Sequence, residues 1–383
     1  MHFMLSASSA HRWGECAASP IFESQFPDVE TPEAADGTAS HWVAEQVLRS
    51  LVDPEQSLTT CGEYVGQTAS NGIEVEQEMA DGAAQYVTDV MLIANDHGAK
   101  RAINVESRLH AAMIHAMCGG TTDAWLYVPD LHRLYIWDYK FGHEVVEAEG
   151  NMQGVVYYAG LYDKLGLDGS TDQNLDVRIR IVQPRANHRD GTRREWKVTG
   201  GELRRYVNKL NHQARLAFGP DPKCVSGPHC LHCKATLSCQ ASATRTAAAL
   251  SYINRPFKAD MSTNDVGYEL SMLDEAHRAV KERLSALKQI AETSMEKGGV
   301  VPGWTREASQ TAPKWTIPDS QIIAIATANG VDIEKRSAKT PLQAQTAGLN
   351  PDIITQFSKR GLSEPKLVRA EKTIAYKAFG KKD

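Results

Sequence analysis

Two aspartates and a lysine stand in a pattern suited to phosphodiester chemistry. Residues 119–140 read Gly-Gly-Thr-Thr-Asp-Ala-Trp-Leu-Tyr-Val, then Pro-Asp-Leu-His, then Arg-Leu-Tyr-Ile-Trp-Asp-Tyr-Lys. Two aromatic and β-branched runs around a Pro-Asp turn predict a β-hairpin. With residues 129–132 as the loop, Val128 pairs with Arg133, and counting outward sets Asp123 opposite Asp138. Directly opposed side chains share a face, with Cβ atoms about 5 Å apart. The period of two puts Lys140 on that face and Trp137 and Tyr139 on the other. Facing carboxylates repel, so a fold that gathers them supplies a divalent cation or raises one pKa. Oxygen ligands favour magnesium or manganese. A lysine just beyond the second aspartate can orient a water or stabilise charge developing on a phosphoryl oxygen. An ordinary hairpin with solvated charges carries the same local pattern. Asp138 is expected to end an exposed strand.

A second constellation is sulfur-based. Cys230, Cys233 and Cys239 offer three thiolates in one short loop, and a fourth ligand must come from elsewhere. Cys224, His229 and His232 lie close enough in sequence to complete a local tetrahedral zinc site. Cys61 and Cys118 have no partner pattern and read as single thiols, Cys118 standing before a Gly-Gly turn. Such clustering indicates metal or cluster chemistry in a reducing cytoplasm more than a disulfide framework.

The elements that must position these groups follow from periodicity. The first stretch, through Pro32, reads as a short helix and a loop. Residues 37–51 form a helix carrying His41 and Glu45, and residues 73–97 form another, with Val75, Met79, Ala83, Val87 and Val90 at helical spacing. Residues 103–109 alternate as a strand, with Glu106 at its middle as a candidate accessory ligand or an exposed strand glutamate. Residues 148–165 are helix-compatible and set Gln153 and Tyr157 at i and i+4, on one face. A strand at 177–181 then extends the sheet begun by the hairpin and the strand before it. Residues 241–262 read as a connecting segment, and Asn264 or Asp265 caps a long helix to about Lys297.

His41, Gly120 with Asp123, Asp138 with Lys140, and Gln153 with Tyr157 occur in one order along the chain. That set resembles the RecB-like branch of the PD-(D/E)XK nuclease superfamily, which includes CRISPR-associated adaptation exonucleases and AddB-type iron-sulfur nucleases. The opening Leu-Ser-Ala-Ser-Ser-Ala-His-Arg-Trp, the Gly-Thr-Thr-Asp-Ala and the Asp-Tyr-Lys-Phe-Gly are similar to hallmark stretches of a phage and prophage group of unknown function. The resemblance covers about residues 5–240. It implies an α/β fold with a restriction-endonuclease-like core, a mixed central sheet flanked by helices. It implies a Mg2+- or Mn2+-dependent DNA exonuclease of phage recombination or replication, acting in the bacterial host cytoplasm. In that reading Asp123 and Asp138 hold the metal, with His41 and the Tyr139 carbonyl as further ligands. Lys140 positions the attacking water, while Gln153 and Tyr157 order the site or touch nucleic acid. The resembled iron-sulfur nucleases join three such cysteines to one far upstream, a place held here by Cys16, so Cys16, Cys230, Cys233 and Cys239 would carry a [4Fe-4S] cluster as a staple across the fold. Zinc is the rival.

Composition narrows the class without naming it. The 383 residues are 42% hydrophobic and 23% charged, as in an ordinary globular protein long enough for two or three domains. Boundaries are expected at 1–243 for the nuclease domain with its cysteine site, 244–298 for a connector and long helix, and 299–383 for a small module. No run approaches the roughly 18 apolar residues of a membrane span, and the N-terminus lacks the basic and apolar regions of a secretory signal. A net charge of -5 gives no global nucleic-acid signature, so DNA affinity must be local. Residues 178–215 hold eleven Lys or Arg, among them the DNA-binding candidates Arg185, Arg193 and Arg194; a solvated loop and helix face is the other reading. Expected partners are linear DNA ends, single-stranded or duplex, and a single-strand annealing or replication protein. A DNA-end binding or recruitment protein on a nuclease scaffold is the second functional reading, disfavoured by the intact Asp123, Asp138 and Lys140. A cluster-bearing redox protein is the third, and leaves the carboxylate hairpin unexplained.

Overall fold

A computed structural model describes residues 3–28, 31–254, 256 and 260–304. Residues from 305 onward, and so most of the module expected at 299–383, lie outside the described residues. In chain order the elements are β1 (Leu5–Ser6), α1 (Ala10–Trp13), α2 (Ser19–Glu23), α3 (Pro32–Val52), α4 (Gln77–Asp96), β2 (Asn104–His110), β3 (Cys118–Val128), β4 (Arg133–Tyr139), α5 (Met152–Lys164), β5 (Asp176–Val182), β6 (Arg193–Thr199), α6 (Gly200–Ala217), α7 (Gln240–Ile253) and α8 (Thr263–Glu296). The fold is α/β, with a mixed sheet between helical layers.

The six strands run β1-β3-β4-β5-β6, with β2 also paired to β3. The hairpin has the expected register: Val128 faces Arg133 and Ala124 faces Trp137. Its turn is a short 3-10 segment closed by His132 in the left-handed region, φ 46°. β5 lies parallel to β4 after the α5 crossover, and β6 returns antiparallel to β5. Alternation divides the core. Ala124, Leu126, Tyr135, Trp137 and Tyr139 pack toward α3 and α4, whereas Trp125, Leu134, Ile136, Ile179 and Ile181 pack toward α1, α5 and α6. A buried network pins the first layer to the sheet: Asp89 on α4 accepts from Trp137 Nε1 at 3.0 Å and from Arg180 Nη2 at 2.9 Å.

β3 has an uneven second edge. β2 borders one edge from Gly119 to Trp125, its pairing interrupted only between Val105 and Ser107. On the other, β1 pairs only with Cys118 and Gly119, and β4 begins only at Ala124. Gly120 to Asp123 therefore front a split in the sheet, and this split is where the polar residues gather.

Several local expectations are corrected. Gly119 and Gly120 lie inside β3, not in a turn. α3 starts at Pro32 because Thr31 accepts the Ala34 N–H and proline suits the first helical turn, so Gly37 is interior. Residues 240–253 form a helix packed on α8 through an Ala249, Ala276 and Ala279 contact, where a connecting segment was expected. α8 is capped by Ser262 in a reciprocal box with Asp265.

Candidate active site and cysteine pocket

The two aspartates sit where β3 and β4 part. Past the Ala124–Trp137 pair the ladder gives way, and the Tyr139 N–H donates instead to Asp123 Oδ2 at 2.6 Å. Asp123 Oδ1 lies 3.5 Å from His41 Nδ1, which α3 brings to the split while the imidazole packs on the Tyr139 ring, centroids 4.8 Å apart. Tyr139 is fixed in turn by a 2.7 Å hydroxyl contact with Ser40, one residue before His41.

Asp138 is 2% exposed, so the expectation that it ends an exposed strand is wrong: α5 covers it. Its Oδ1 accepts from Lys140 Nζ and Gln153 Nε2, both at 3.0 Å. Gln153 also accepts from Lys140 Nζ at 3.0 Å and donates to the Tyr157 hydroxyl at 2.8 Å, so the one-turn spacing on α5 holds both residues in a single network. Asp138 Oδ2 is buried with no hydrogen-bond partner. An orphaned buried carboxylate oxygen calls for an explanation, and a bound cation is one that the neighbouring carboxylates and imidazole suit.

Glu106 completes the group. It faces Asp123 across the β2–β3 ladder, between the Val105–Ala124 and Ser107–Thr122 pairs, and adopts φ 47°. A left-handed backbone costs a side-chain-bearing residue of order 1–3 kcal/mol and persists only where its surroundings enforce it. The outcome is that ligand atoms of His41, Glu106 and Asp123 all lie within 4.8 Å of one another. Its mid-strand position was legible in the sequence. Its convergence with His41 was not, because α3 and β2 meet only through the fold.

The electrostatics divide the carboxyls. Burial works to raise the Asp123 pKa, but His41, Lys140 and the Tyr139 N–H outweigh it and hold the group below its ordinary value. For Asp138 burial wins, with Asp123 repulsion adding and Lys140 opposing, and the carboxyl is pushed up to about 6. Burial and the nearby Asp123 push Glu106 up to about 8. Burial pulls His41 down, but the Asp123 carboxylate more than compensates, leaving it raised. The raised carboxyls hold their protons more tightly than free ones, and a divalent ion bound to these oxygens would compete with those protons.

The expected cysteines meet in a second place. Cys16, Cys230, Cys233 and Cys239 line one pocket, together with Cys224 and His229. Cys16 Sγ accepts from the Val225 N–H and Cys230 Sγ from the Gly227 N–H, each at 3.4 Å. Burial raises the Cys233 thiol to about 12. His232 stays out of this pocket, exposed and paired with Glu144 at 3.4 Å, whereas Cys224 and His229, the other two candidates for a local fourth ligand, line it with the cysteines. Cys61 and Cys118 are buried in the fold, apart from this pocket.

The basic stretch is largely spent on the fold. Arg178 and Arg180 pair with Glu195, and Arg193 approaches Asp89 at 3.5 Å. Arg185 pairs with Glu78 and lies over the Phe141 ring. Arg194 is 6% exposed and donates to the carbonyls of Val146 and Gly191 and to Gln183 Oε1. The alternation of β6 turns this guanidinium inward, onto acceptors of the fold itself. Among the described residues no helix is long and apolar enough to cross a membrane.

The chain belongs to the family described as a protein of unknown function, DUF2800, whose model matches residues 2–368.

Proposed function

We propose that this protein is a metal-dependent deoxyribonuclease that hydrolyses phosphodiester bonds at DNA ends, in the manner of the RecB-like PD-(D/E)XK nucleases. The observation that carries the reading is the unpartnered, buried Asp138 Oδ2 in the same cavity as His41 and Asp123. A magnesium or manganese ion held by Asp123, Asp138 and His41 would polarise the scissile phosphate and acidify its bound water. The Tyr139 carbonyl is a candidate further ligand, and Glu106 adds a fourth side chain within reach of the same centre.

The chain's own residues account for the remaining requirements. Lys140, held by Asp138 and Gln153, stands at the centre and orients the attacking water. The water oxygen adds to phosphorus, its proton passes to the site, and the P–O bond to the departing nucleotide breaks with protonation of the leaving oxygen. Gln153 spans Lys140, Asp138 and Tyr157, so it fixes the ammonium relative to the carboxylate.

The cysteine pocket supports a [4Fe-4S] cluster on Cys16, Cys230, Cys233 and Cys239. Backbone N–H groups already point at two of these sulfurs, as at clusters whose potential is tuned by such bonds. A cluster here would tie the N-terminal segment to the loop before α7.

The test is hydrolysis of end-labelled linear, circular, single-stranded and duplex DNA by anaerobically purified protein, with and without Mg2+ or Mn2+. Metal-dependent loss of linear but not circular substrate supports an exonuclease. Binding of ends without turnover in either metal would replace this reading with the recruitment scaffold.

A further inference from the structure

α8 is 34 residues long, and the described fold buries one side of it. Ala276 and Ala279 pack on Ala249 of α7, and Arg245 of α7 pairs with Glu275 and with the buried Glu282. The same arginine donates to the Gly227 carbonyl at 3.3 Å, so this side is turned to the loop that carries the cysteines. A second stripe lies about a third of a turn away, at about 100° per residue. On it Val266, Leu270, Leu284 and Leu287 are 42–47% exposed, and Leu273 and Val280 are half-buried. A single exposed leucine needs no account, but a row of them along one helix face does.

The spacing of the row is that of a coiled-coil seam. Val266, Leu270, Leu273, His277, Val280, Leu284, Leu287 and Ala291 follow one another in alternating steps of four and three, a seven-residue repeat held for nearly four turns of the heptad. At 1.5 Å per residue the seam is about 40 Å long. The charges beside it select partner and direction. One flank carries Asp274, Lys281 and Lys288; the other, on the α7 side, carries Glu269, Ala276 and Arg283. Two copies running in the same direction would set Glu269 against the partner's Asp274 and Arg283 against the partner's Lys288, and both contacts repel. Reversed, with Leu270 level with the partner's Leu287 and Leu273 with the partner's Leu284, Asp274 stands beside the partner's Lys281, and Lys281 beside the partner's Asp274. The surface is then self-complementary about a two-fold axis. His277, the polar member of the repeat, falls opposite the partner's Val280 in the two central layers, where a polar residue fixes register at some cost in stability.

We propose that the leucine stripe of α8 is a self-association surface, on which α8 of a second copy of this chain packs antiparallel. Any apolar helix would cover the leucines; the reciprocal placement of Asp274 and Lys281 about one axis is what a second copy matches. α7 lies a third of a turn from the seam and stays clear of the partner. The inference does not depend on the nuclease reading. It places two chains, each with its own carboxylate cavity and cysteine pocket, in one particle.

The experiment is sedimentation equilibrium of the full chain over a concentration series. The wild type should be a dimer, and Leu270→Glu combined with Leu284→Glu should raise the dimer Kd at least about a hundredfold. Lys281→Glu should raise it about tenfold, and adding Asp274→Lys should restore it, a rescue that a folding defect would not show. A wild type that stays monomeric at about 100 μM overturns the proposal and leaves the stripe to another segment of the chain or another protein. A dimer indifferent to the leucine substitutions overturns it equally, by placing the interface elsewhere. Tightening by Asp274→Lys alone overturns the antiparallel pairing, because in copies running the same way that lysine would meet the partner's Glu269.

Discussion

Lys140 Nζ lies 3.0 Å from Asp138 Oδ1, while Asp138 Oδ2 is buried without a partner. One oxygen is thus committed to the ammonium and the other is left for an external cation. Asp138→Asn should keep a side-chain oxygen for Lys140 and Gln153 but lose the anionic ligand. We expect a loss of cleavage of about 100-fold or more with little change in the urea midpoint. Asp138→Ala removes the partner of a half-buried ammonium as well and should cost about 1–3 kcal/mol of stability. Single-turnover cleavage and urea denaturation of both variants check this; wild-type cleavage by Asp138→Asn would remove the assigned ligand.

The pH dependence follows from the same carboxyls. Asp138, at about 6, and Glu106, at about 8, bind protons more tightly in the folded chain than in the unfolded one. Their contribution to stability is therefore full below the ordinary carboxyl range and is lost as pH rises through those values. The raised His41 works in the same direction. Metal-free protein should show a urea midpoint that falls between about pH 5 and pH 9, and Asp138→Asn should shallow the fall. Manganese must displace these protons, so its stabilising shift in Tm should be small near pH 5 and grow toward pH 8. A metal-induced shift independent of pH would contradict the assignment.

The cysteine pocket predicts colour. Anaerobically purified protein should be brown, with stoichiometric iron and sulfide, and Cys16→Ser or Cys233→Ser should lose both colour and stability. A cluster joining positions 16 and 239 closes a loop of more than about 200 residues, so its removal frees the N-terminal segment. Gentle oxidation that bleaches the colour without unfolding should leave some cleavage, because the carboxylates are in a separate cavity. Colourless protein with one zinc per chain, insensitive to Cys16→Ser, would overturn the cluster.

What the sequence disclosed depended on range. The register of β3 against β4 was legible because residues 129–132 make the loop and every pairing follows by counting. Gln153 and Tyr157 were legible as a pair because one helical turn separates them. β6 was missed although Arg194, Trp196 and Val198 alternate inward along it, since its arginines read as a solvated basic face. β1 is two residues long and pairs with a strand more than a hundred positions away, which no local pattern announces. The convergence of Glu106 on His41 is of the same kind, a consequence of packing α3 against the split sheet. Cys16 was tied to the later cysteines by resemblance alone.

Arg194 provides the sharpest separation between a structural and a nucleic-acid role in the basic stretch. Its guanidinium supplies donors to two main-chain carbonyls and to Gln183 Oε1, and Gln183 itself donates to the carbonyls of Gly142 and Glu144. These bonds tie β5 and β6 to the loop that follows β4, directly after Lys140. Arg194→Ala leaves several buried acceptors without donors and should cost about 3 kcal/mol, read from the urea midpoint. Its DNA-binding salt slope should remain that of the wild type, since no phosphate contact is lost. The loosened loop should instead lower cleavage by displacing Lys140, and Arg194→Lys should recover only part of the stability, because an ammonium cannot reproduce the planar fork. A reduced salt slope at unchanged stability would return Arg194 to the DNA-binding surface.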